Sequence, residues 1–231
     1  MDVAEFDQFA DEYLATHADN IRLSGEDPDY FARYKIETLR RRWDAERLPE
    51  PVRVLDFGTG IGGSLPHLAR AFPGAELTGL DISERSLAVA ERRFPRVATL
   101  LAYDGGAPPL PAGAFDLIFS ACVFHHIPAA EHVRIFAQLR ALLSPAGAMV
   151  IFEHNPVNPA TRHIVATCPF DANAVLLPAD QLNRGQRRAG FRRVTADYTA
   201  FFPGPLRALR PIERYLARCP IGAQYYTFAR G

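Results

Sequence analysis

A glycine-rich turn in the first half of the chain has residue types that suit ligand binding. The segment from Val54 to Gly63 reads VLDFGTGIGG, a short apolar strand followed by closely spaced glycines. Glycines let the backbone turn tightly and approach a ligand closely, where a Cβ atom would intrude. The N–H groups at the start of the next helix attract a polar or anionic group. The turn alone fits two patterns, G-x-G-x-x-G through Gly63 and G-x-G-x-G, so other residues must discriminate between ligands.

Three acidic residues outside or within this turn discriminate between the two classes of ligand. Asp81 ends a predicted strand about twenty residues later, where an acid accepts hydrogen bonds from both ribose hydroxyls. Asp104 follows the next strand and is placed to accept from an exocyclic amine such as adenine N6. Asp56 precedes Gly58 by two residues, where a nicotinamide-binding turn normally carries an apolar residue. Because its carboxylate repels a pyrophosphate and attracts a cationic amino group, the pattern favours a nucleoside that bears an amino acid over NAD.

Two pairs of titratable residues are candidates for proton transfer. His125 and His126 come directly after the fourth predicted strand, and Glu153 and His154 end the fifth. Histidine titrates near neutral pH and is able to deprotonate an acceptor hydroxyl, while a Glu-His pair can act as orienter and base. The structural alternatives are a loop-shaping role for the histidine pair and a hydrogen-bonding cap on the turn at Asn155 for the second pair.

Short apolar segments alternate with amphipathic ones from residue 52 onwards. This alternation predicts a parallel sheet covered by helices on both faces. Strands are predicted at 52–57, 76–81, 97–102, 115–121 and 148–154, and helices at 63–72, 84–94 and 129–143. Ser144 to Gly147 is predicted to end the last of these helices and to turn into the next strand. A helix at 179–189, a strand at 191–201, a Pro-flanked helix at 205–216 and a strand at 223–229 follow, and the two final strands are expected to close the sheet as an antiparallel edge.

Composition excludes several classes of partner. The chain has 26 basic and 26 acidic residues, so no global field recruits nucleic acid or an anionic membrane surface. No apolar run reaches about 18 residues, and the three cysteines form neither a disulfide framework nor a metal-ligand pattern. We therefore expect a cytoplasmic protein, monomer or homodimer, with no nucleic-acid or membrane partner.

The ordered set of motifs resembles class I S-adenosylmethionine-dependent methyltransferases of the small-molecule type. The resemblance covers roughly 52–201 and rests on the glycine turn, on GLDIS at Gly79, on Asp104-Gly105, on FDLIFS at Phe115 with HHIP after it, and on LSPAGA at Leu143. It implies a Rossmann-like, mostly parallel seven-stranded sheet of order 3-2-1-4-5-7-6 whose last strand is antiparallel, with helices on both faces.

The resemblance also implies roles for individual residues. Asp56, Gly58, Thr59 and Gly60 would face the methionine part of S-adenosylmethionine, and Asp81 would hold its ribose. The remaining positions concern the adenine and the sulfonium: Ile82 would pack on the adenine, Asp104 with Gly105 would take its amine, and Ala121 with Cys122 would lie near the sulfonium.

Three regions are expected to form the enzyme. Residues 1–48 are expected to form a helical lid. Its candidate contacts with donor or acceptor are Tyr13, His17, Tyr30, Tyr34 and Lys35, of which Tyr34 or Lys35 is a candidate for the donor carboxylate. The alternative is that most of these aromatic side chains pack the helices onto the sheet. Residues 49–231 form the donor-binding core, and 155–178 is an insertion that shapes the acceptor pocket.

The function expected is methyl transfer to a small-molecule acceptor by in-line displacement, on a hydroxyl oxygen, with His126, His154, Glu153 and His125 as catalytic candidates. No metal is expected, because the place after the fourth strand lacks the carboxylates and amide of catechol-type metal sites. The alternatives are N- or C-methylation, a NAD-dependent oxidoreductase, and a non-catalytic nucleoside-binding module.

Overall fold

The structure is a computed structural model that describes residues 20–231. Tyr13 and His17, and with them most of the first predicted helical stretch of the lid, lie outside the described residues. In the described part, no helix combines the length and the apolar character that crossing a bilayer requires.

One sheet of seven strands organises the described residues. Its strands are β1 (Arg53–Phe57), β2 (Glu76–Asp81), β3 (Thr99–Ala102), β4 (Phe115–Ala121), β5 (Leu143–His154), β6 (Arg193–Thr199) and β7 (Gln224–Arg230). Their order across the sheet is β3-β2-β1-β4-β5-β7-β6. Strands β1 to β5 pair in parallel, and β7 pairs antiparallel with both β5 and β6. The predicted fold class and strand order are confirmed.

Helices connect the strands in the predicted rhythm. They are α1 (Pro28–Ala45), α2 (Leu65–Ala71), α3 (Glu84–Arg93), α4 (His132–Leu142), α5 (Pro159–Thr167), α6 (Ala179–Arg188) and the short α7 (Glu213–Leu216). Several begin with a side-chain cap that satisfies a free backbone N–H: Asp27 accepts from the backbone of Tyr30, and Ser83 accepts from that of Ser86. Short 3₁₀ turns lie at Phe124–His126, Ala129–Glu131 and Pro169–Asp171, and a longer one at Gly204–Ile212.

Each face of the sheet carries its own apolar cluster. On one face, Ile36, Leu39 and Trp43 of α1 pack with residues such as Val54 and Phe119 of the central strands. On the other face, α4 and α6 pack against the alternate residues of the same strands. Burial of both faces explains why the central strands read as nearly continuous apolar runs.

The segment from Ser144 to Gly147 differs from its prediction as a simple turn. β5 begins already at Leu143, which pairs with Phe115, and Ala148 pairs with Leu117. Four residues of β5 therefore bulge opposite Asp116 alone. The Asp116 carboxylate stabilises the bulge, because it accepts from the Ser144 hydroxyl at 2.8 Å and from the backbone N–H of Val52 at 2.9 Å.

The insertion at 155–178 contains a helix that the sequence analysis did not predict. Asn158 caps α5 by accepting from the backbone of Thr161 at 3.0 Å, and Pro159 occupies the first helical turn. Proline at this position is pre-organised for a helix rather than a breaker of one. In this segment, a proline marks the start of a helix as well as a connecting loop.

Candidate active site

A cavity of about 540 Å³ lies at the carboxyl ends of the central strands. The glycine turn after β1 and the end of β2 form one side of its wall. The residues after β4 and the end of β5 form another, and α1 and α5 supply the rest. In an open parallel sheet this edge, next to the reversal of strand order, is where ligands bind.

The glycine turn adopts a backbone that requires its glycines. Gly58, Gly60 and Gly62 have φ angles of 73°, 52° and 77°, in the left-handed region. A Cβ atom on Gly58 would come within 2.4 Å of the Val123 side chain, whereas one on Gly60 would meet no atom within 4 Å. Gly58 therefore allows close packing against the loop after β4. Gly60 leaves backbone exposed to the cavity, which is a cradle of the kind a ligand requires.

Asp81 ties the glycine turn to β2. One carboxylate oxygen accepts from the Gly60 N–H at 2.7 Å, and the other accepts from the Ser83 N–H at 2.9 Å. Asp81 also lines the cavity. The carboxylate is thus held in a fixed position at the wall, at the place where the sequence analysis expects a ribose.

Asp56 is buried beneath the turn and lines the same cavity. It accepts from the Thr59 hydroxyl at 2.8 Å. Burial raises the pKa of the Asp56 carboxyl to about 7, and the nearby charge of Asp81 acts in the same direction. A cation that enters the cavity here would favour the ionised form, so the residue suits the cationic group predicted for it.

The residues predicted for the adenine lie outside the lining of this cavity. Ile82, Asp104 and Gly105 follow the ends of β2 and β3, and Asp104 is exposed and accepts from the Gly106 N–H at 2.8 Å. Ala121 and Cys122, in contrast, belong to the lining. Cys122 has a left-handed φ of 59°, a strained conformation of the kind that is concentrated at functional sites.

His125 lies between two carboxylates. Its Nδ1 is 2.6 Å from Glu153 Oε2, and its Nε2 is 3.3 Å from Asp171 Oδ1. Burial alone would lower the pKa of His125, but the charge of Glu153 and the hydrogen bonds to both carboxylates outweigh it. They raise the pKa well above its usual value. His125 is therefore an imidazolium that joins β5 to the insertion.

Glu153 stands behind His125 and is fully buried. Besides holding His125, it accepts from the backbone N–H of Phe124 at 2.7 Å and of Val123 at 3.2 Å. Burial would raise the pKa of Glu153, but the His125 charge outweighs it and the pKa is lowered. Since Glu153 is not part of the lining, it orients the loop after β4 rather than touching a ligand.

His126 and His154 line the cavity as neutral rings. Burial lowers the pKa of each to about 4, and the charge of His125 acts in the same direction. The ring centroids lie 4.2 Å (His126) and 5.3 Å (His154) from that of His125. Among the described residues, the ring nitrogens of His154 have no hydrogen-bond partner. A neutral imidazole with a free nitrogen is able to accept a proton from a ligand.

Asp171 adds a carboxylate that sequence spacing did not reveal as a neighbour of the histidine pair. Its Oδ1 lies 3.5 Å from His126 Nε2, and ligand atoms of His125, His126 and Asp171 all lie within 4.8 Å of one another. The described residues thus hold one set of metal-ligand types, although the sequence analysis expects no metal. The contacts of His125 with two carboxylates account for the cluster as an ion-paired network.

A family model described as "Methyltransferase domain" matches residues 54–147, the stretch that carries the glycine turn, Asp81 and the histidine pair. Residues 54–147 therefore match a methyltransferase domain, and the fold is shared with solved S-adenosylmethionine-dependent methyltransferases.

Curated relatives of this methyltransferase domain share about three residues in ten. The chain is 31% identical over 150 residues to the trans-aconitate 2-methyltransferase of Variovorax paradoxus, covering 62% of this chain and 57% of that protein. It is 29% identical over 178 residues to the malonyl-[acyl-carrier protein] O-methyltransferase of Geobacter sulfurreducens, covering 71% and 66%. The chain thus spans less than two thirds of the length of these relatives.

Solved structures share the methyltransferase fold over most of the chain. A possible histamine N-methyltransferase from Thermotoga maritima gives a TM-score of 0.67 at 18% identity and covers 98% of both chains. An S-adenosylmethionine-dependent methyltransferase from Mesorhizobium loti gives 0.58 at 25% identity, covering 82% of this chain and 97% of that one.

The structure shows the positions of Tyr34 and Lys35 of α1, the two candidates for contact with the donor carboxylate. Tyr34 does not line the cavity: its hydroxyl contacts Thr199 at 2.6 Å and donates to Glu213. Lys35, the next residue, is buried and lines the cavity. One of the two candidates for an anion contact thus anchors α1 to the far edge of the sheet, and the other faces the site.

Proposed function

We propose that this chain transfers the methyl group of S-adenosylmethionine to a hydroxyl oxygen of a small molecule, by in-line displacement without a metal ion. The proposal rests on one cavity whose lining combines two kinds of residue. We call the part lined by the glycine turn, Asp56 and Asp81 the donor end, and the part lined by the neutral rings of His126 and His154 the histidine end or acceptor end. Residues suited to the donor and to the proton therefore line the same cavity.

The donor end fits S-adenosylmethionine. The open space above Gly60 gives room for close approach, and the buried carboxyl of Asp56 suits an α-amino group. We assign Gly58, Thr59 and Gly60 with Asp56 to the methionine part, Asp81 to the ribose and Ala121 to the surroundings of the sulfonium. Ile82, Asp104 and Gly105 are assigned to the adenine, beyond the rim of the cavity.

The bound donor supplies an electrophilic methyl group, and the chain supplies alignment, exclusion of water and a destination for the proton. Alignment alone contributes roughly 7–11 kcal/mol in favourable cases. His154 is assigned as the proton acceptor because it lines the cavity and its ring nitrogens have no hydrogen-bond partner among the described residues. His126 lines the same cavity. His125 and Glu153 are assigned to positioning, since Glu153 is fully buried and holds both His125 and the loop after β4.

The name of one relative supports oxygen as the acceptor atom. The Geobacter sulfurreducens relative is named as an O-methyltransferase, which favours oxygen as the acceptor atom. We propose that residues 1–48 cover the cavity and that 155–178 shapes its acceptor end. For the described parts, α1 and α5 both contribute to the lining.

Calorimetric titration followed by product analysis tests the proposal. We expect S-adenosylmethionine and S-adenosylhomocysteine to bind and NAD not to bind. With donor labelled in the methyl group and a mixed pool of small metabolites, mass spectrometry is expected to find the label on oxygen. Label on nitrogen or carbon would overturn the oxygen assignment, and binding of NAD alone would overturn the proposed activity.

A further inference from the structure

Lys35 is a buried cation in the wall of the cavity. It lies on the face of α1 that packs toward the sheet, next to Ile36, and only 8% of its surface is exposed. It lines the cavity together with Phe31 and Ala32 of the same helix. The apolar packing of α1 on the sheet sets the position of the Lys35 backbone at this wall.

Lys35 has no hydrogen-bond or ion-pair partner among the described residues. The acids that line the cavity have other partners: Asp27 accepts from the Tyr30 N–H, and Asp29 pairs with His67. Asp56 accepts from Thr59, and Asp81 accepts from Gly60 and Ser83. Asp171 faces the histidine cluster. An ammonium group taken out of water without an anion lowers stability, so such groups are normally paired or neutralised. Within residues 20–231 no anion pairs with Lys35, so its charge is available to an anionic ligand.

The charge of Lys35 acts on the histidine end of the cavity. Desolvation raises the pKa of the Cys122 thiol, and Lys35 has the largest effect in the opposite direction. Lys35 also contributes to the lowered pKa of His154, after burial and the charge of His125. These groups lie at the ends of β4 and β5, where the proton acceptor stands, and Tyr34 is held away from the cavity by Thr199 and Glu213.

We propose that Lys35 binds a carboxylate of the methyl acceptor, so that the substrate is a small organic acid held by this carboxylate while another oxygen is methylated. The inference rests on the proposed function and adds a substrate class to it. One ammonium group in a largely apolar wall pairs with one carboxylate, and this pairing sets the orientation of the acceptor relative to His154. A neutral substrate would leave the Lys35 ammonium group unpaired in the enzyme–substrate complex.

Matched acids and amides test this assignment on the wild-type protein. Labelled S-adenosylmethionine is supplied with a panel of small hydroxy-carboxylic acids and, for each acid, its primary amide, which has the same shape without the charge. We expect methylated products from acids, with kcat/KM at least tenfold higher than for the matching amides. An amide used as well as its acid would overturn the proposal, and no product from any compound, with S-adenosylhomocysteine still bound, would overturn the proposed function as well.

Substitution separates an acceptor contact from a donor contact. Lys35→Met keeps the length of the side chain, Lys35→Arg keeps its charge, and Arg33→Met removes an exposed charge from the same helix. We expect Lys35→Met to raise the acceptor KM by about 10–100-fold with less than a threefold change in S-adenosylhomocysteine affinity. Lys35→Arg should restore part of the loss and Arg33→Met should match the wild type.

A different result would assign Lys35 to the donor instead of the acceptor. If Lys35→Met weakens S-adenosylhomocysteine tenfold and leaves 5′-methylthioadenosine, which lacks the amino-acid part, unchanged, then Lys35 binds the donor carboxylate. Circular dichroism shows whether the variant is folded. Should it not fold, the comparison of acids with amides on the wild type decides alone.

Discussion

Asp81 has two tasks at the scale of a single residue. Its carboxylate oxygens accept from the backbone of Gly60 and Ser83, so it shapes the turn that is proposed to bind the donor. The same carboxylate lies in the wall where the ribose is expected. Loss of the side chain removes both contributions.

For Asp81→Ala we therefore expect S-adenosylhomocysteine affinity to fall by about 10–100-fold, since hydrogen bonds to a charged group contribute roughly 1.5–3 kcal/mol. Titration calorimetry measures the change, and Glu91→Ala, which removes an exposed acid from α3, serves as the control. Unchanged affinity in a folded Asp81→Ala protein would remove the ribose assignment.

His154 is the residue proposed to accept the proton. Replacement by Asn keeps a polar side chain but removes the imidazole, so kcat should fall by about 10²–10⁴-fold, the usual range for a general base. Donor affinity should stay the same. His163→Asn, an exposed histidine on α5, is the control. A His154→Asn enzyme with the kcat of the wild type would show that another group accepts the proton.

The expected pH dependence of kcat and of the donor KM follows from the shifted pKa values of His126, His154 and Asp56. His126 and His154 have pKa values lowered to about 4, so they stay neutral as the pH falls from 7 to 5 and protonate only near 4. At saturating donor we expect kcat to lack the usual histidine inflection near pH 6.5. The donor KM should rise as the pH falls through 7, because Asp56, with a pKa raised to about 7, becomes protonated. A kcat inflection near 6.5 would contradict this account.

At the scale of elements, Glu153 connects β5 to the loop after β4. It holds an imidazolium and two backbone N–H groups in a place without water access. Breaking a buried pair by removing one charge is costly, because the other charge is left uncompensated.

Glu153→Gln should lower the free energy of unfolding by about 3–5 kcal/mol, measured by urea denaturation. Glu131→Gln, which disrupts an exposed pair with Arg134, should change it by less than about 1 kcal/mol. Equal stability of the two variants would mean that the Glu153 network does not anchor the loop.

Local patterns predicted the strands better than the connections. β2 and β4 begin and end at the predicted residues, because their apolar runs are bounded by turn residues on both sides. The bulge at Ser144 and the helix α5 were not predicted. The first depends on the Asp116 carboxylate, 28 residues away, and the second on a cap and a proline whose local signal resembles that of a loop.

The lining residues at the strand ends could be predicted from the sequence. The contacts between segments that are distant in the sequence could not. Asp56, Asp81, Ala121 and His154 follow from the rule that parallel strands present their carboxyl ends at one edge. The contact of Asp171 with His125 joins residues 46 positions apart, and the wall position of Lys35 depends on how α1 packs across the sheet. No sequence spacing reports such contacts.

At the scale of the whole molecule, α1 covers the cavity from one side. It packs on the sheet through Ile36, Leu39 and Trp43, and Tyr34 anchors it at Thr199 and Glu213 near the far edge. Ligand binding in the cavity therefore involves the sheet and its covering helix together.

A bound donor product should stabilise the entire fold. At a concentration of 100 times its Kd, S-adenosylhomocysteine is expected to add about 2.7 kcal/mol, which for a chain of this size raises the Tm by about 5–10 °C. Differential scanning calorimetry checks this shift, with NAD at the same concentration as the control. A shift with NAD and none with S-adenosylhomocysteine would contradict the donor assignment.

Transfer of a labelled methyl group shows whether the protein is an O-methyltransferase. The wild-type protein and Asp81→Ala are each incubated with methyl-labelled S-adenosylmethionine and a pool of small organic acids, and products are separated by mass spectrometry. We expect a labelled O-methyl product and S-adenosylhomocysteine in equal amounts from the wild type, and a strongly reduced yield from the variant. Donor binding by the wild type without any labelled product, across the pool, would contradict this expectation.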